Sequence, residues 1–184
     1  MKSIFVNTER CVACKTCEVA CALNRSSLSR KLPEALYEAV PPQARVRVEP
    51  TGGENGFPIQ CRHCQDAPCL DACPAAALYR DPEGLVLVHD ERCIGCWMCV
   101  MVCPFGAPQP FRSFRKILKC DLCKGMDAPS CVESCPTHAL LLIDPVDIAS
   151  GKFAAPRMGR LTGLDFVSGR SLGKTFNTKL DRKG

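Results

Sequence analysis

The chain has 184 residues, a length that suits one ordinary domain or two small ones, and it carries 16 cysteines beside one Trp, two Tyr and eight Phe. So few aromatics exclude a large aromatic core, and small folds with little core lean on disulfides or metals. The formal charge of +5 lies in residues 145–184, with eight Lys or Arg against three Asp, while residues 1–144 hold sixteen charges of each sign; without a basic stripe interleaved with aromatics, this argues against nucleic-acid binding.

In chain order, "SIFVN" (residues 3–7) is predicted as a short strand. The first cysteine group follows, "CVACKTCEVAC", with Cys11, Cys14, Cys17 and Cys21. Residues 22–60, rich in Ser, Pro and Gly, read as a long insertion or linker. Within it a helix is expected over "LPEALYEAV", a strand at "RVRVE" and a loop around "PTGGENG". The second group is "CRHCQDAPCLDACP", with Cys61, Cys64, Cys69 and Cys73. The turn "RDPEG", Arg80 to Gly84, then makes a hairpin of "ALY" and "LVLVH". The third group is "CIGCWMCVMVCPFG", with Cys93, Cys96, Cys99 and Cys103. The fourth is "CDLCKGMDAPSCVESCP", with Cys120, Cys123, Cys131 and Cys135, and "ALLLID" is a last strand. Beyond Pro145 the basic, Gly-containing tail has no sustained period. Its spaced apolar residues, Phe153, Met158, Leu161, Leu164, Phe166 and Phe176, fit docking or assembly better than pure disorder.

An even cysteine count also fits a disulfide framework, which belongs to oxidising compartments. The stretch "MKSIFVNTERC" has no apolar region or cleavage site of a secretory leader, and no run of about 18 apolar residues could span a membrane. The expectation is therefore a cytoplasmic protein with reduced, metal-binding cysteines. Groups one and three fit the bacterial ferredoxin run C-x2-C-x2-C-x3-C; groups two and four lengthen the loop before their third cysteine. Two short steps let a loop wrap a cubane with three thiolates, and the fourth cysteine ligates a second cluster in two-cluster ferredoxins. Three groups end in Cys-Pro (Pro74, Pro104, Pro136), and the first ends Cys21-Ala22. The x3 step is expected to start a helix whose first turn accepts that proline. Zinc also binds CxxC pairs, but its sites join two such knuckles and have no use for a third cysteine in one loop.

These groups resemble the four-cluster, ferredoxin-type electron-transfer subunits of bacterial and archaeal redox complexes. That family serves molybdenum or tungsten oxidoreductases, formate dehydrogenases, hydrogenases and nickel carbon monoxide dehydrogenases. The likeness covers residues 3 to about 144, through "CRHCQDAPC", "CIGCWMCVMVCPFG", "KCDLC" and "CVESCPTHAL". The segment "LPEALYEAVPPQARVRVE" is similar to the subunits of carbon monoxide dehydrogenase and tungsten aldehyde oxidoreductase.

The resemblance implies an α+β fold of two nested two-cluster ferredoxin units. Residues 1–25 with 111–144 would form the outer unit, 55–110 the inner unit, 26–54 the insertion and 145–184 the tail. It implies four 4Fe-4S clusters. One takes Cys11, Cys14, Cys17 and Cys135; one takes Cys61, Cys64, Cys69 and Cys103. One takes Cys93, Cys96, Cys99 and Cys73; one takes Cys120, Cys123, Cys131 and Cys21. Function would be an electron relay in anaerobic metabolism, with no substrate site of its own. Partners would be a catalytic oxidoreductase subunit and a ferredoxin or flavin subunit, with self-assembly through the tail. The competing readings are a freely diffusing polyferredoxin and a zinc-stapled interaction protein. His63 and His138, each in a cysteine loop, could donate to sulfur or be ordinary loop residues, and Trp97 could shield a cluster or simply pack.

A cluster with a 2+ core and four thiolates carries about −2, so four add roughly −8 to the formal +5 and leave about −3. Anaerobic holo-protein is expected to migrate as an anion in native electrophoresis at neutral pH; migration as a cation would contradict the count.

Overall fold

Apolar stretches this short, interrupted by cysteine loops, can pair only as small ribbons. The computed structural model describes residues 2–51, 55–144, 146 and 150. The chain divides after Phe153, and the expected docking tail lies outside the described residues. Ser3–Val6 (β1) pairs antiparallel with Leu140–Ile143 (β8), tying the start of the cysteine-bearing region to its end. Arg47–Pro50 (β2) pairs with Gly56–Ile59 (β3), and Leu78–Arg80 (β4) with Val86–Val88 (β5). Gln109–Phe111 (β6) pairs with Lys116–Leu118 (β7). Five short helices stand between them: Thr16–Leu23 (α1), Leu32–Ala35 (α2), Pro68–Asp71 (α3), Met98–Val102 (α4) and Ser130–Glu133 (α5).

Two apolar clusters form. One gathers Ile4, Val46, Val48 and Leu140 with Cys11, Cys17, Cys21, Cys131 and Cys135; the other gathers Ala67, Leu78, Val86, Cys99 and Ile117. Helices α1 and α5 pack together beside the first, and α3 and α4 pack together beside the second. The start and end of the cysteine-bearing region, with Val46 and Val48, therefore build one body of core, and its middle builds the other. In both, cysteine stands where an ordinary domain would place Leu or Ile.

The expected strands form, and the hairpin turns through Asp81 to Gly84. Strands β3, β6 and β7 are additions to the expected set; β3 and β6 each contain a proline, Pro58 and Pro110, and proline in a run argues against a paired strand. Two-stranded ribbons have a free edge on each strand, where the missing N–H costs nothing. The helix expected over residues 32–40 is confined to α2. Only Ala35 of it is buried, while Leu36 and Tyr37 are exposed, so no apolar face holds further turns in place. The reading of the x3 step also needs correction. Helices α3, α4 and α5 hold the third cysteine of their groups, and they end before Cys73, Cys103 and Cys135. Proline disfavours helical backbone at the residue before it, and Cys103 is extended at φ −74°, ψ 116°. Each Cys-Pro closes a helix instead of opening one. In the first group Ala22 replaces proline, and α1 runs on past Cys21 to Leu23.

The β6–β7 hairpin clasps the third cysteine loop. Lys116 Nζ donates to the carbonyls of Asp90 and Cys93, the latter at 2.7 Å. Arg115, at φ 50°, presses its carbonyl against Gly95, where a Cβ would lie 2.3 Å from that oxygen. Gly95 is itself at φ +67°, so both the conformation and the space require glycine. Gly95→Ala is expected to destabilise holo-protein by on the order of 3 kcal/mol, adding overpacking to left-handed strain. Gly125→Ala, at φ +88° with open space around it, should cost only about 1 kcal/mol of strain. Anaerobic denaturant titration compares the two, and equal costs would contradict the clasp.

Candidate metal centres

Each cysteine loop owes its curl to left-handed residues set between its thiols. Ala13 and Lys15 have positive φ in the first group, His63 in the second, Trp97 beside Gly95 in the third, and Leu122 and Cys123 in the fourth. Three residues past the last cysteine of groups two, three and four stand Ala76, Gly106 and His138, again at positive φ. Such conformations cost of order 1 kcal/mol or more in a non-glycine residue and persist where surroundings fix them. They turn backbone N–H groups toward sulfur. His63 N–H donates to Cys61 Sγ (3.4 Å) and Leu122 N–H to Cys120 Sγ (3.4 Å). Ala77 N–H donates to Cys73 Sγ (3.3 Å) and Ala139 N–H to Cys135 Sγ (3.2 Å).

The sulfurs gather across loops. Cys61, Cys64, Cys69 and Cys103 line one cavity, closed by Val86, Phe105 and Lys119. Cys73, Cys93, Cys96 and Cys99 line a second with Trp97 and Ile117. Cys11, Cys14, Cys17 and Cys135 line a third with Val48 and Leu140. The remaining four, Cys21, Cys120, Cys123 and Cys131, are all buried. Burial, and then Cys120, Cys21 and Cys123, push the Cys131 thiol up.

The same opposition recurs in the other sets. Burial first, then Cys135, Glu18 and Cys11, pushes Cys17 up to about 12. Burial, then Cys69, Cys93, Cys73 and Cys96, pushes Cys99 to about 11. Cys120, fully enclosed, is pushed to about 12 by burial, with Cys21 and Cys61 adding to it. By contrast Cys14, exposed and bonded by the Thr16 hydroxyl at 3.4 Å, shifts down. Thiolates so placed repel one another, and an iron core supplies the positive charge that keeps them deprotonated together. Among the described residues no three His, Cys, Asp or Glu side chains converge as a single ion requires. Tetrahedral zinc, with Zn–S near 2.3 Å, needs sulfurs within roughly 3.8 Å of one another. A cubane spreads them over separate irons, so the donor set suits a cluster and not zinc. Trp97, which lines the second cavity, has a buried Nε1 without a partner among the described residues.

Sequence reasoning missed the polar frame around the fourth group. Asp121 takes both guanidinium nitrogens of Arg25, one at 2.8 Å, and Arg45 Nη1 at 3.1 Å. Burial works to raise the Asp121 carboxyl, but Arg25 and then Arg45 outweigh it and hold it below the usual range. Asn24 Nδ2 donates to Cys123 Sγ (3.5 Å), and the Arg45 backbone N–H to Cys21 Sγ (3.2 Å). Residues from the start and the interior of the supposed linker are thus built into this site. No local pattern marks such residues, because their partners are 24 to 99 positions away. His63 is buried, but its Nδ1 accepts from Val86 N–H at 3.1 Å instead of meeting a cysteine. Trp97 lines the second cavity with Arg112 over its ring, 5.7 Å from the centroid.

Residues 55–144 match the 4Fe-4S dicluster domain family. The chain is 41% identical over 157 residues to an iron-sulfur protein of Rhodospirillum rubrum, covering 77% of this chain and 81% of the relative. It is 36% identical over 160 residues to the electron transport protein HydN of Escherichia coli K12, covering 77% and 87%. To a subunit of the anaerobic dimethyl sulfoxide reductase of the same strain it is 37% identical over 147 residues, covering 74% and 70%. Cysteine loops, cavity chemistry and these likenesses agree: the chain belongs to the ferredoxin-type 4Fe-4S family of iron–sulfur electron-transfer proteins.

Proposed function

We propose that this chain is a four-cluster electron relay, with no substrate site of its own, joining a catalytic oxidoreductase subunit to a second redox partner. The observation that supports it is that three cavities are each lined by three thiols of one loop and one from another, while Cys120, Cys21 and Cys123 act on buried Cys131. On this reading Cys11, Cys14, Cys17 and Cys135 hold one cluster, and Cys120, Cys123, Cys131 and Cys21 the next. Cys61, Cys64, Cys69 and Cys103 hold a third, and Cys93, Cys96, Cys99 and Cys73 a fourth. The two apolar clusters support a pair of nested ferredoxin units. A bound 4Fe-4S cluster takes up and returns one electron at a time. The chain holds the thiolates, aims N–H groups at sulfur and excludes water.

An order for the relay is supported by the cysteines of different quartets that act on one another. Cys17 acts on Cys131, Cys61 on Cys120 and Cys69 on Cys99, each raising its neighbour's thiol. The path therefore runs from the Cys14 quartet through those of Cys123 and Cys64 to that of Cys96. At its two ends Cys14 and Cys96 are exposed, flanked by exposed Val12 at one and by Ile94 and Met98 at the other. Those ends are the contact points for the two partners. Relatives named as an electron transport protein and as part of a reductase support a catalytic oxidoreductase partner, which we take to be of the molybdenum or tungsten oxidoreductase or carbon monoxide dehydrogenase class. The second partner would be a ferredoxin or flavin subunit, and the basic tail the element for docking or self-assembly. Among the described residues no helix is long and apolar enough to cross a membrane. We place the complex in the cytoplasm.

Cys103→Ser is expected to alter the paramagnetic resonance of the cluster held by Cys61, Cys64 and Cys69 and to spare that of Cys93, Cys96 and Cys99. The reverse pattern would contradict the crossed ligation. Anaerobic size-exclusion of cell extract should show the chain migrating with a larger catalytic subunit; migration alone would favour a free polyferredoxin.

A further inference from the structure

Lys119 is 2% exposed and ranks among the largest fully buried side chains. Its Nζ donates to Cys61 Sγ at 2.9 Å and to the Val86 carbonyl. Val86 is fixed from both sides, since its N–H donates to His63 Nδ1. His63, 3% exposed, accepts that bond inside the same buried region. Burying a cation is costly unless a counter-charge accompanies it. The nearby carboxylates are engaged elsewhere, Asp121 with Arg25 and Arg45, and Asp81 with Lys124. Among the described residues no carboxylate pairs with Lys119; its counter-charge is the thiolate set it touches. Its backbone leads straight into Cys120 of the adjacent quartet. The charge thus stands at the junction of two neighbouring quartets in the middle of the path.

We infer that Lys119 is a potential-setting residue, a fixed buried charge that raises the reduction potential of the cluster at Cys61, Cys64, Cys69 and Cys103. The inference rests on the four-cluster reading. The physical reason is that one-electron reduction adds a negative charge to an already anionic cluster, and a positive charge in direct contact favours the reduced form. A hydrogen bond to the ligating sulfur acts in the same sense.

The test is an anaerobic potentiometric titration of the full chain with dithionite as electron donor, followed by paramagnetic resonance, in wild type, Lys119→Met, Lys119→Gln and Lys119→Arg. In Lys119→Met and Lys119→Gln one potential should fall by at least a tenfold change in the reduced-to-oxidised ratio, 59 mV for one electron. The other potentials and the iron content should be unchanged, and Lys119→Arg should keep most of the wild-type value. Unmoved potentials at full iron content would overturn the inference, as would an equal fall in Lys119→Arg. Loss of one cluster in both Lys119→Met and Lys119→Gln would also overturn it, assigning Lys119 to assembly instead. The underlying reading fails separately, if wild type itself binds zinc or fewer clusters.

Discussion

Half of the sixteen cysteines are buried, and buried thiols set this close to one another resist ionising without a cation among them. That constraint organises the molecule. Burial and mutual repulsion push Cys17, Cys99 and Cys120 to about 12, 11 and 12. An iron core reverses the balance, and the free energy of binding it becomes folding free energy. The ribbons are too short and the apolar clusters too rich in cysteine for packing alone to hold the fold.

Because three cavities each draw thiols from two loops, closing one also sets the chain's path. The start and end of the cysteine region are brought together by β1 against β8 and by α1 against α5. The middle closes on itself through α3 and α4. Polar braces then join the two bodies: Lys124 reaches Asp81 on the β4–β5 turn, and Lys119 reaches Cys61. Within the first body, Arg25 and Arg45 reach Asp121 beside the fourth cysteine group.

Much of this was legible in the sequence because cysteine spacing is a geometric instruction, and β-branched runs between loops leave little choice but short ribbons. Strands carrying Pro58 or Pro110 were not legible, since proline ordinarily argues against pairing and only the free edge of a two-stranded ribbon tolerates it. The proline after a fourth cysteine was misread as a helix start; its effect on the preceding residue makes it a helix stop. The roles of Asn24, Arg25, Arg45 and Lys119 could not be read locally. Each meets its partner across 24 to 99 positions. Composition made residues 22–60 look like a linker, while tertiary contact makes Asn24, Arg25 and Arg45 part of the site.

The central claim is that four cubanes, and not single ions, hold this chain together. Iron and acid-labile sulfide analysis of anaerobically purified full-length protein tests it most directly. About sixteen iron and sixteen sulfide per chain are predicted, four of each per cluster. Zinc without sulfide, or about half that iron in fully folded protein, would contradict it.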